Sequence, residues 1–264
     1  MKHQSIAKAP ALLFLFLTYT IGTLTSCQDH REEVEPVRFR LKKTVSTSAI
    51  RGNTKDTTTI LYTYNAKGQL GSETSVETST YGPLRYVKNA TFTYNAQGQL
   101  TQINAEYSGN FSGFDRTEYT YDSAGNIMLE TKLRNFDKSQ PSNYQVIDKT
   151  EYTYDGSLFP ATATNSYGTT RYTYLNGNIS SKIVQGSTLF QYDDKPNPYY
   201  GVIRADGILS RLFSVNNQID IGIVEPRHVL TYNAAGLLVR LNIVYRPSFP
   251  YNYDEQTTYE YEAY

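Results

Sequence analysis

The side chains best suited to bind a ligand lie in one segment that contains two prolines. Asp193 and Asp194 are followed by Asn197, Tyr199 and Tyr200, so the segment supplies two carboxylates, an amide and two aromatic rings. This combination predicts a ligand-binding rim formed by these five residues. The competing interpretation is a crossover that caps the sheet, because two adjacent aspartates need further oxygen ligands at set spacing to form a calcium loop. We therefore predict neither a metal ion nor a cofactor.

Catalytic chemistry finds little support in the sequence. The chain has 3 histidines and 1 cysteine, and it contains no G-x-S-x-G, H-E-x-x-H or phosphate-cradling glycine motif. The Asp193–Asp194 pair is adjacent in sequence, and adjacency does not give the separation across a sugar ring that glycoside hydrolysis needs. The sequence therefore predicts that the protein is not an enzyme.

The charge balance narrows the possible partners. Lysine and arginine together number 25, as do aspartate and glutamate, so the formal net charge is zero. This balance argues against nucleic acid as a partner, because nucleic-acid affinity comes largely from clustered cations. The apolar residues include 25 Tyr and 11 Phe but no Trp. A mean hydropathy of −0.51 excludes a polytopic helical membrane protein.

Residues 1–26 have the three-part pattern of an export signal. Lys2 and Lys8 provide positive charge, and residues 9–24 form an apolar stretch that is short for a membrane span and interrupted by threonines. The sequence Leu24-Thr25-Ser26-Cys27 then resembles the bacterial lipobox, in which small residues precede a cysteine that is diacylated and becomes the mature N-terminus. The resemblance implies that lipid on Cys27 anchors the protein to a membrane.

Residues 27–36, the lipidated cysteine and the acidic stretch behind it, predict a flexible tether. An acidic stretch in this place resembles the surface-export signal of Bacteroidetes lipoproteins. The resemblance implies an outer-membrane lipoprotein of the cell envelope that is exposed at the surface. A solvated linker that only spaces the domain from the membrane explains the composition as well, so the face of the membrane stays open.

Internal repetition dominates residues 37–264. Eight segments share one core and begin at residues 62, 92, 119, 152, 172, 190, 230 and 259; the core is aromatic-x-aromatic in seven of them and Leu-Thr-Tyr in the segment at 230. Alternation of aromatic residues with threonine predicts strands whose aromatic side chains share one face. The Asn-x-x-Gly that follows, as in residues 65–68, predicts a chain reversal in which glycine takes a positive φ. The predicted turn glycines are Gly68, Gly98, Gly125, Gly177 and Gly236.

These repeats predict an all-β fold over residues 37–264. Seven hairpins and a terminal strand correspond to roughly fifteen or more strands. An antiparallel meander of this length must curl into a roll, a spiral or a split sandwich. The tyrosine and leucine rows would line its inner face, with threonine, lysine and glutamate on the outer face. One short helix is expected near residues 202–213, where apolar residues loosely follow helical spacing.

Two families resemble this part of the chain. Residues 121–127, Tyr-Asp-Ser-Ala-Gly-Asn-Ile, resemble the YD repeat of Rhs-type proteins, whose hairpins wind into a large β shell. That resemblance implies the hairpin unit only. Most of the chain beyond the tether resembles Bacteroidetes lipoproteins of unknown function, the DUF4595-like group, which combine such hairpins with one Tyr-Asp-x-Lys-Pro-Asn-Pro segment. Residues 192–198 fit that segment, and the resemblance implies no activity.

The sequence thus predicts a lipid-anchored, non-enzymatic envelope or surface protein that acts as a binding or structural module. The first alternative is a glycan-binding surface lipoprotein of a polysaccharide-uptake system, because exposed tyrosines can stack on sugar rings. The second is an outer-membrane β-barrel. Strands as polar as residues 73–77 argue against it, because they supply no continuous apolar band. The expected partners are the membrane, through Cys27, and a glycan or a protein of unknown identity.

Overall fold

The structure, a computed structural model, describes residues 38–264 apart from 51–53, 81, 111, 136, 138, 141–142, 157–158, 184–186, 201–213, 221–226 and 245–252. The predicted signal peptide, Cys27, the acidic tether and the helix expected near residues 202–213 therefore lie outside the described residues. Phe39–Tyr264 form one compact unit.

All regular structure in the described part of the chain is β-strand, which confirms the prediction of an all-β fold. The strands are β1 Phe39–Ile50, β2 Thr54–Tyr64, β3 Leu70–Ser79, β4 Gly82–Tyr94, β5 Leu100–Gly109, β6 Gly113–Tyr121, β7 Ile127–Asn135, β8 Gln145–Thr153, β9 Thr162–Asn165, β10 Gly168–Leu175, β11 Asn178–Ile183, β12 Ser187–Leu189, β13 Gln191–Pro196, β14 Asn216–Asp220, β15 Arg227–Tyr232, β16 Leu238–Val244 and β17 Tyr253–Ala263. No described segment forms an apolar helix of membrane-spanning length.

One antiparallel sheet contains fifteen of these strands, in the order β12-β11-β10-β9-β8-β7-β6-β5-β4-β3-β2-β1-β17-β16-β15. Strands β1 to β12 follow chain order, as expected for a meander of local hairpins. The last strand instead returns to the first, and β17 pairs with β1 from Phe39 opposite Ala263 to Ile50 opposite Tyr253. This pairing covers the edge that β1 would otherwise leave open.

The copy of the repeat at residues 190–192 departs from the hairpin pattern. Its Tyr192 lies in β13, which pairs with β14 in a separate two-stranded sheet. Pro196 ends β13, and because proline has no N–H to donate, a strand that contains it belongs at an edge or in a small ladder. Residues 197–215 separate β13 from β14, so this copy of the repeat does not turn back at once.

The repeat hairpins share one turn and one bulge. In β2–β3, Thr63 pairs with Ser72 and Tyr64 with Leu70, which leaves Gly71 as an extra residue in the return strand. Asn65 Oδ1 accepts hydrogen bonds from the N–H groups of residues 67 and 69 at 2.9 and 3.0 Å. Equivalent bulges fall at Thr101, Met128, Ser180 and Val239.

The turn requires a left-handed residue, and glycine supplies it. Gly68 has a φ of +78°, a conformation in which a Cβ would clash with the backbone. The other turn glycines have φ values between +76° and +87°, namely Gly98, Gly125, Gly177 and Gly236. At residues 176–177 both turn residues have positive φ, which is the conformation of a two-residue primed turn.

The core lies on one face of the sheet and contains the first aromatic residue of most repeats. Its aromatic members include Tyr62, Phe92, Tyr119 and Tyr259, and its aliphatic members include Leu41, Ile60, Leu70, Leu100, Ile103 and Leu238. The predicted inner rows of tyrosine and leucine are therefore present. Burying each such side chain contributes roughly 1.5–3 kcal/mol.

Two glutamates share that inner face, contrary to the expectation that glutamate would lie outside. Glu73 stands directly opposite Tyr62 and Glu130 directly opposite Tyr119, so each carboxylate lies on the same face as its aromatic partner. Glu73 is 2% exposed and Glu130 is 1% exposed. Each has a lysine nearby, at 3.4 Å from Lys88 Nζ to Glu73 and 3.1 Å from Lys132 Nζ to Glu130. These ion pairs make burial of the two carboxylates tolerable.

Candidate functional site: a tyrosine-lined cavity

In six of the eight repeats the second aromatic residue is half-buried and ties one hairpin to the next. Its hydroxyl donates a hydrogen bond to a backbone carbonyl of the neighbouring hairpin. Six described pairs have this form: Tyr64 to Leu41 at 2.6 Å, Tyr94 to Leu70 at 2.9 Å, Tyr121 to Leu100 at 2.6 Å, Tyr154 to Ile127 at 3.0 Å, Tyr174 to Pro160 at 2.9 Å and Tyr261 to Leu238 at 2.8 Å. The bonds fix the rings in position, because each is held at both ends.

The turns are also tied to one another, through glutamine side chains. Gln69 Nε2 donates to the carbonyl of Gly98 at 3.0 Å, while Gln69 Oε1 accepts from Asn65 Nδ2 at 3.1 Å. Gln99 repeats the pattern one hairpin further on and accepts from Asn95 at 2.8 Å. The ends of successive hairpins are therefore held in a fixed relation.

A cavity of about 630 Å³ opens at this end of the sheet. Its aromatic lining consists of Phe39, Tyr64, Tyr94, Tyr121, Tyr200, Tyr261 and Tyr264, and its polar lining includes Arg40, Lys67, Gln69, Gln99 and Asn197. The segment that contains Pro196 and Pro198 forms part of its wall. Aromatic rings with a few placed polar groups are the usual lining of a small-molecule or oligomer site.

Arg40 is held against the aromatic lining. Its guanidinium lies 4.2 Å from the centre of the Tyr64 ring and 5.0 Å from that of Tyr264, distances typical of cation–π contacts. Its Nε also forms an ion pair with Glu262 at 2.7 Å. The charged side chains that line the cavity among the described residues are Arg40 and Lys67, both cationic.

The phenols of the cavity stay neutral at physiological pH. Burial raises the pKa of Tyr64 and of Tyr121 to about 12, and it also raises the pKa of Tyr94. A neutral phenol donates its proton to the carbonyl it faces, so the hydrogen bonds between hairpins persist over the whole physiological range.

Asp193, predicted as part of a ligand rim, is held in a hydrogen-bond network within the protein. Its Oδ1 accepts hydrogen bonds from the N–H groups of Lys195 at 3.0 Å and Asn217 at 3.1 Å, and its Oδ2 accepts one from the Tyr232 hydroxyl. Tyr232 occupies the second-tyrosine position of its repeat, in β15, and β15 is the edge strand of the sheet within the described residues. The Asp193 carboxylate takes the place of the backbone carbonyl that accepts this hydrogen bond in six other repeats.

Asn197 and Tyr199 hold the proline-containing segment against the sheet. Asn197 Nδ2 donates to the carbonyl of Ser214 at 2.9 Å, and its Oδ1 accepts from the N–H of Tyr199 at 2.9 Å. Tyr199 is buried and meets the Tyr259 ring edge-on at 5.9 Å between ring centres. These contacts match the capping interpretation of the segment.

The remaining two predicted residues differ in their surroundings. The Asp194 side chain is 83% exposed and contacts Lys195 Nζ at 3.2 Å. Tyr200 is 48% exposed and lines the cavity. Of the five predicted rim residues, the structure therefore brings Asn197 and Tyr200 to the cavity and leaves Asp193, Asp194 and Tyr199 away from its lining.

The cavity residues that the sequence did not reveal are the second tyrosines of the repeats. Their pairing with the turn motif assigned them to the core together with the first aromatic residue. The available signal was position: Tyr64, Tyr94 and Tyr121 each come directly before a turn, at the end of a strand, where fewer neighbouring residues can cover a side chain. Within the described residues, no three histidine, cysteine, aspartate or glutamate side chains cluster in a way that could hold a metal ion.

The chain is structurally similar to several solved structures. No known family matches the sequence, and no curated protein matches it. The chain is similar to a porin-like protein from Bacteroides uniformis ATCC 8492, with a TM-score of 0.46 and 14% identity over 86% of this chain and 99% of that one. It is also similar to a TcdB2-TccC3-TEV chain, with a TM-score of 0.28 and 16% identity over 74% of this chain and 12% of that one.

Proposed function

We propose that this is a lipid-anchored, surface-exposed protein of the cell envelope, in the outer membrane, that binds a ligand without chemical conversion. The observation that carries the binding function is the cavity of about 630 Å³ whose tyrosines are fixed by hydrogen bonds to neighbouring hairpins. A fixed aromatic wall loses little conformational entropy when a ligand packs on it, which favours affinity. The lipobox-like sequence at Cys27 supports the anchor.

The same cavity offers no evident acid–base machinery. General catalysis needs a group whose pKa lies near the working pH and within reach of the reacting proton. The charged groups of the described lining are the cations Arg40 and Lys67, and burial moves the pKa of Tyr64 to about 12. Glu73 and Glu130 lie on strands four positions apart in the sheet, a separation of about 19 Å that is too wide for a glycosidase pair.

Occupancy of the cavity can be tested without knowledge of the ligand. Nitration of tyrosine by tetranitromethane, followed by peptide mass spectrometry, reports on each exposed ring. Tyr200 and Tyr264 line the cavity, whereas Tyr167 is 85% exposed outside its lining. We expect Tyr200 and Tyr264 to be modified less in intact cells than in purified full-length protein, with Tyr167 modified equally. Equal modification of all three rings in both samples would refute binding at the cavity.

The anchor has its own test. Cys27→Ala should remove fatty-acid labelling and release the protein from the membrane fraction, while Cys27 in the wild type should take up label. Protease added to intact cells should degrade the wild-type domain if it faces the medium. A wild-type protein that takes up no label and a variant that still pellets with membranes would contradict the anchor.

Capture of a glycan for polysaccharide uptake is the second candidate function. The observation that favours it is the combination of aromatic rings and side-chain amides in one lining, Tyr94 and Tyr121 beside Gln69 and Gln99. Sugar rings present C–H faces to aromatic rings and hydroxyls to amides.

A further inference from the structure

The tyrosines of the cavity are evenly spaced across the sheet. Tyr261, Tyr64, Tyr94 and Tyr121 lie on β17, β2, β4 and β6, and one other strand separates each pair of neighbours in this series. Adjacent strands are about 4.8 Å apart, so successive rings stand about 9.6 Å apart along a line that crosses the strands. An evenly spaced row of fixed rings matches an extended polymer whose own repeat has that length.

Two kinds of polymer have such a repeat. A polyproline II peptide repeats every three residues, or about 9.3 Å. An extended chain of β-linked pyranose sugars advances about one strand interval with each sugar, so that a disaccharide spans the distance between two rings. The contacts available in the lining distinguish these two candidates.

The phenol hydroxyls are already engaged, so they cannot serve the backbone carbonyls of a bound peptide. A bound peptide brings backbone carbonyls that need hydrogen-bond donors. The hydroxyls of Tyr64, Tyr94, Tyr121 and Tyr261 all donate to carbonyls of the protein itself. What the row offers a ligand is therefore aromatic surface, which suits the C–H face of a pyranose ring.

The glutamines between the rings suit the hydroxyls of a sugar. Gln69 donates one N–H to Gly98 and accepts one hydrogen bond from Asn65. A primary amide has two N–H groups and two lone pairs, so one of each remains for a ligand. Gln99 occupies the equivalent position one hairpin further on, and both side chains line the cavity.

We infer that the cavity binds a linear, non-cationic pyranose chain that runs across the strands, with one disaccharide for each interval between neighbouring tyrosines of the row. This assignment presupposes the proposed binding function and adds to it the class, the direction and the length of the ligand. The four rings span six strand intervals, about 29 Å, which corresponds to about six sugars. Arg40 is compensated by its ion pair with Glu262, and the cation Lys67 in the lining would repel a chain that carries amino groups.

Isothermal titration of the full-length protein in detergent micelles tests the inference. The probes are cello-oligosaccharides of two to six sugars, a chitosan hexamer of the same linkage that carries amines, and a decaproline peptide. We expect the association constant to rise about tenfold or more from the disaccharide to the hexasaccharide, because further rings are contacted. The chitosan hexamer should bind at least tenfold more weakly than cellohexaose.

Variants then locate the binding. Tyr200→Ala and Tyr264→Ala remove exposed rings of the lining and should weaken cellohexaose binding severalfold, while Tyr167→Ala, outside the lining, should leave it unchanged. Equal affinity for the disaccharide and the hexasaccharide, equal affinity for chitosan, or absence of saccharide binding would overturn the inference. Decaproline binding that depends on Tyr200, without saccharide binding, would overturn the inference and leave the proposed function standing. Failure of the nitration experiment would overturn both.

Discussion

The hydroxyl of Tyr64 donates a hydrogen bond to the carbonyl of Leu41 at 2.6 Å, across the boundary between one hairpin and the next. The relation repeats along the sheet and gives each hairpin a side-chain link to its neighbour in addition to the backbone ladder. The same link keeps the tyrosine ring at the cavity. Stability and the shape of the candidate site therefore depend on the same atoms.

Removing one such hydroxyl should destabilise the fold modestly. We expect Tyr64→Phe to lower the free energy of unfolding by about 1 kcal/mol, because a hydrogen bond to a half-buried carbonyl is lost while the ring remains. Chemical denaturation measures the change. Tyr167→Phe is the matched control, since this ring is 85% exposed, and its unfolding free energy should stay within about 0.5 kcal/mol of the wild type.

The turn glycine Gly68 should not tolerate a side chain, whereas Gly71, three residues later, should tolerate one. Gly68→Ala forces alanine into a φ of +78° and should cost about 1–2 kcal/mol of unfolding free energy. A Cβ at Gly71 would meet only ordinary contacts, the nearest at 3.5 Å. Gly71→Ala should therefore be neutral or stabilise by up to about 1 kcal/mol. Thermal unfolding of the two variants in parallel measures the difference in stability between them. Equal destabilisation would contradict the turn assignment.

Glu130 should make the stability of the protein dependent on pH. Burial raises the pKa of this carboxyl group, and the nearby Lys132 only partly offsets the effect. A raised pKa means that the folded state binds the proton more tightly than the unfolded state does. The stabilisation is therefore complete below the pKa of the unfolded chain and is lost as the pH rises through the pKa of the folded protein.

Glu130→Gln should remove this dependence. We expect the variant to be more stable than the wild type at neutral pH, with a difference that shrinks as the medium becomes acidic. Urea denaturation at several pH values measures it. The control is Glu118→Gln, whose side chain is 47% exposed, and its unfolding free energy at neutral pH should stay within about 0.5 kcal/mol of the wild type. A Glu130→Gln variant that is less stable than the wild type at neutral pH would show that the ion pair with Lys132 outweighs the cost of burial.

Substitution of the two adjacent aspartates of the proline-containing segment should affect stability to very different extents. Asp193→Ala removes the acceptor for Lys195, Asn217 and Tyr232 and should cost about 1.5–3 kcal/mol of unfolding free energy. Asp194→Ala removes a side chain that is 83% exposed and should change the unfolding free energy by less than about 0.5 kcal/mol. Differential scanning calorimetry of both variants would show the contrast. A similar loss for both would mean that the network at Asp193 does not hold the segment.

Local sequence predicted the hairpins well because their determinants lie close together in the chain. The Tyr-Thr-Tyr strand, the Asn65 cap and Gly68 all fall within seven consecutive residues, and each acts on its own neighbours. The pairing of β1 with β17 was not predicted, since it joins residues more than two hundred positions apart and no local pattern encodes it. Distant strand pairing depends on which edges remain open after the local hairpins have formed.

Burial of the glutamates and the location of the cavity also escaped prediction, for a different reason. Glutamate in a strand normally lies on the solvent face. That Glu130 lies on the inner face follows only from its pairing with Tyr119 on the neighbouring strand. The cavity arises where the row of second tyrosines meets the segment containing Pro196 and Pro198. That meeting joins strand ends to a segment far from most of them in the chain, and local spacing does not encode it.

The pairing of β1 with β17 also has a consequence for synthesis of the protein. The ribosome completes β1 long before β17, so the growing chain carries an unpaired edge of twelve residues through most of translation. Such an edge can pair with strands of other chains, and a chaperone can bind it. Arrival of the last strand ends that exposure and joins β15 and β16 to the rest of the sheet in the same step. A chain that loses β17 would therefore detach β15 and β16 from the sheet and leave β1 as an open edge.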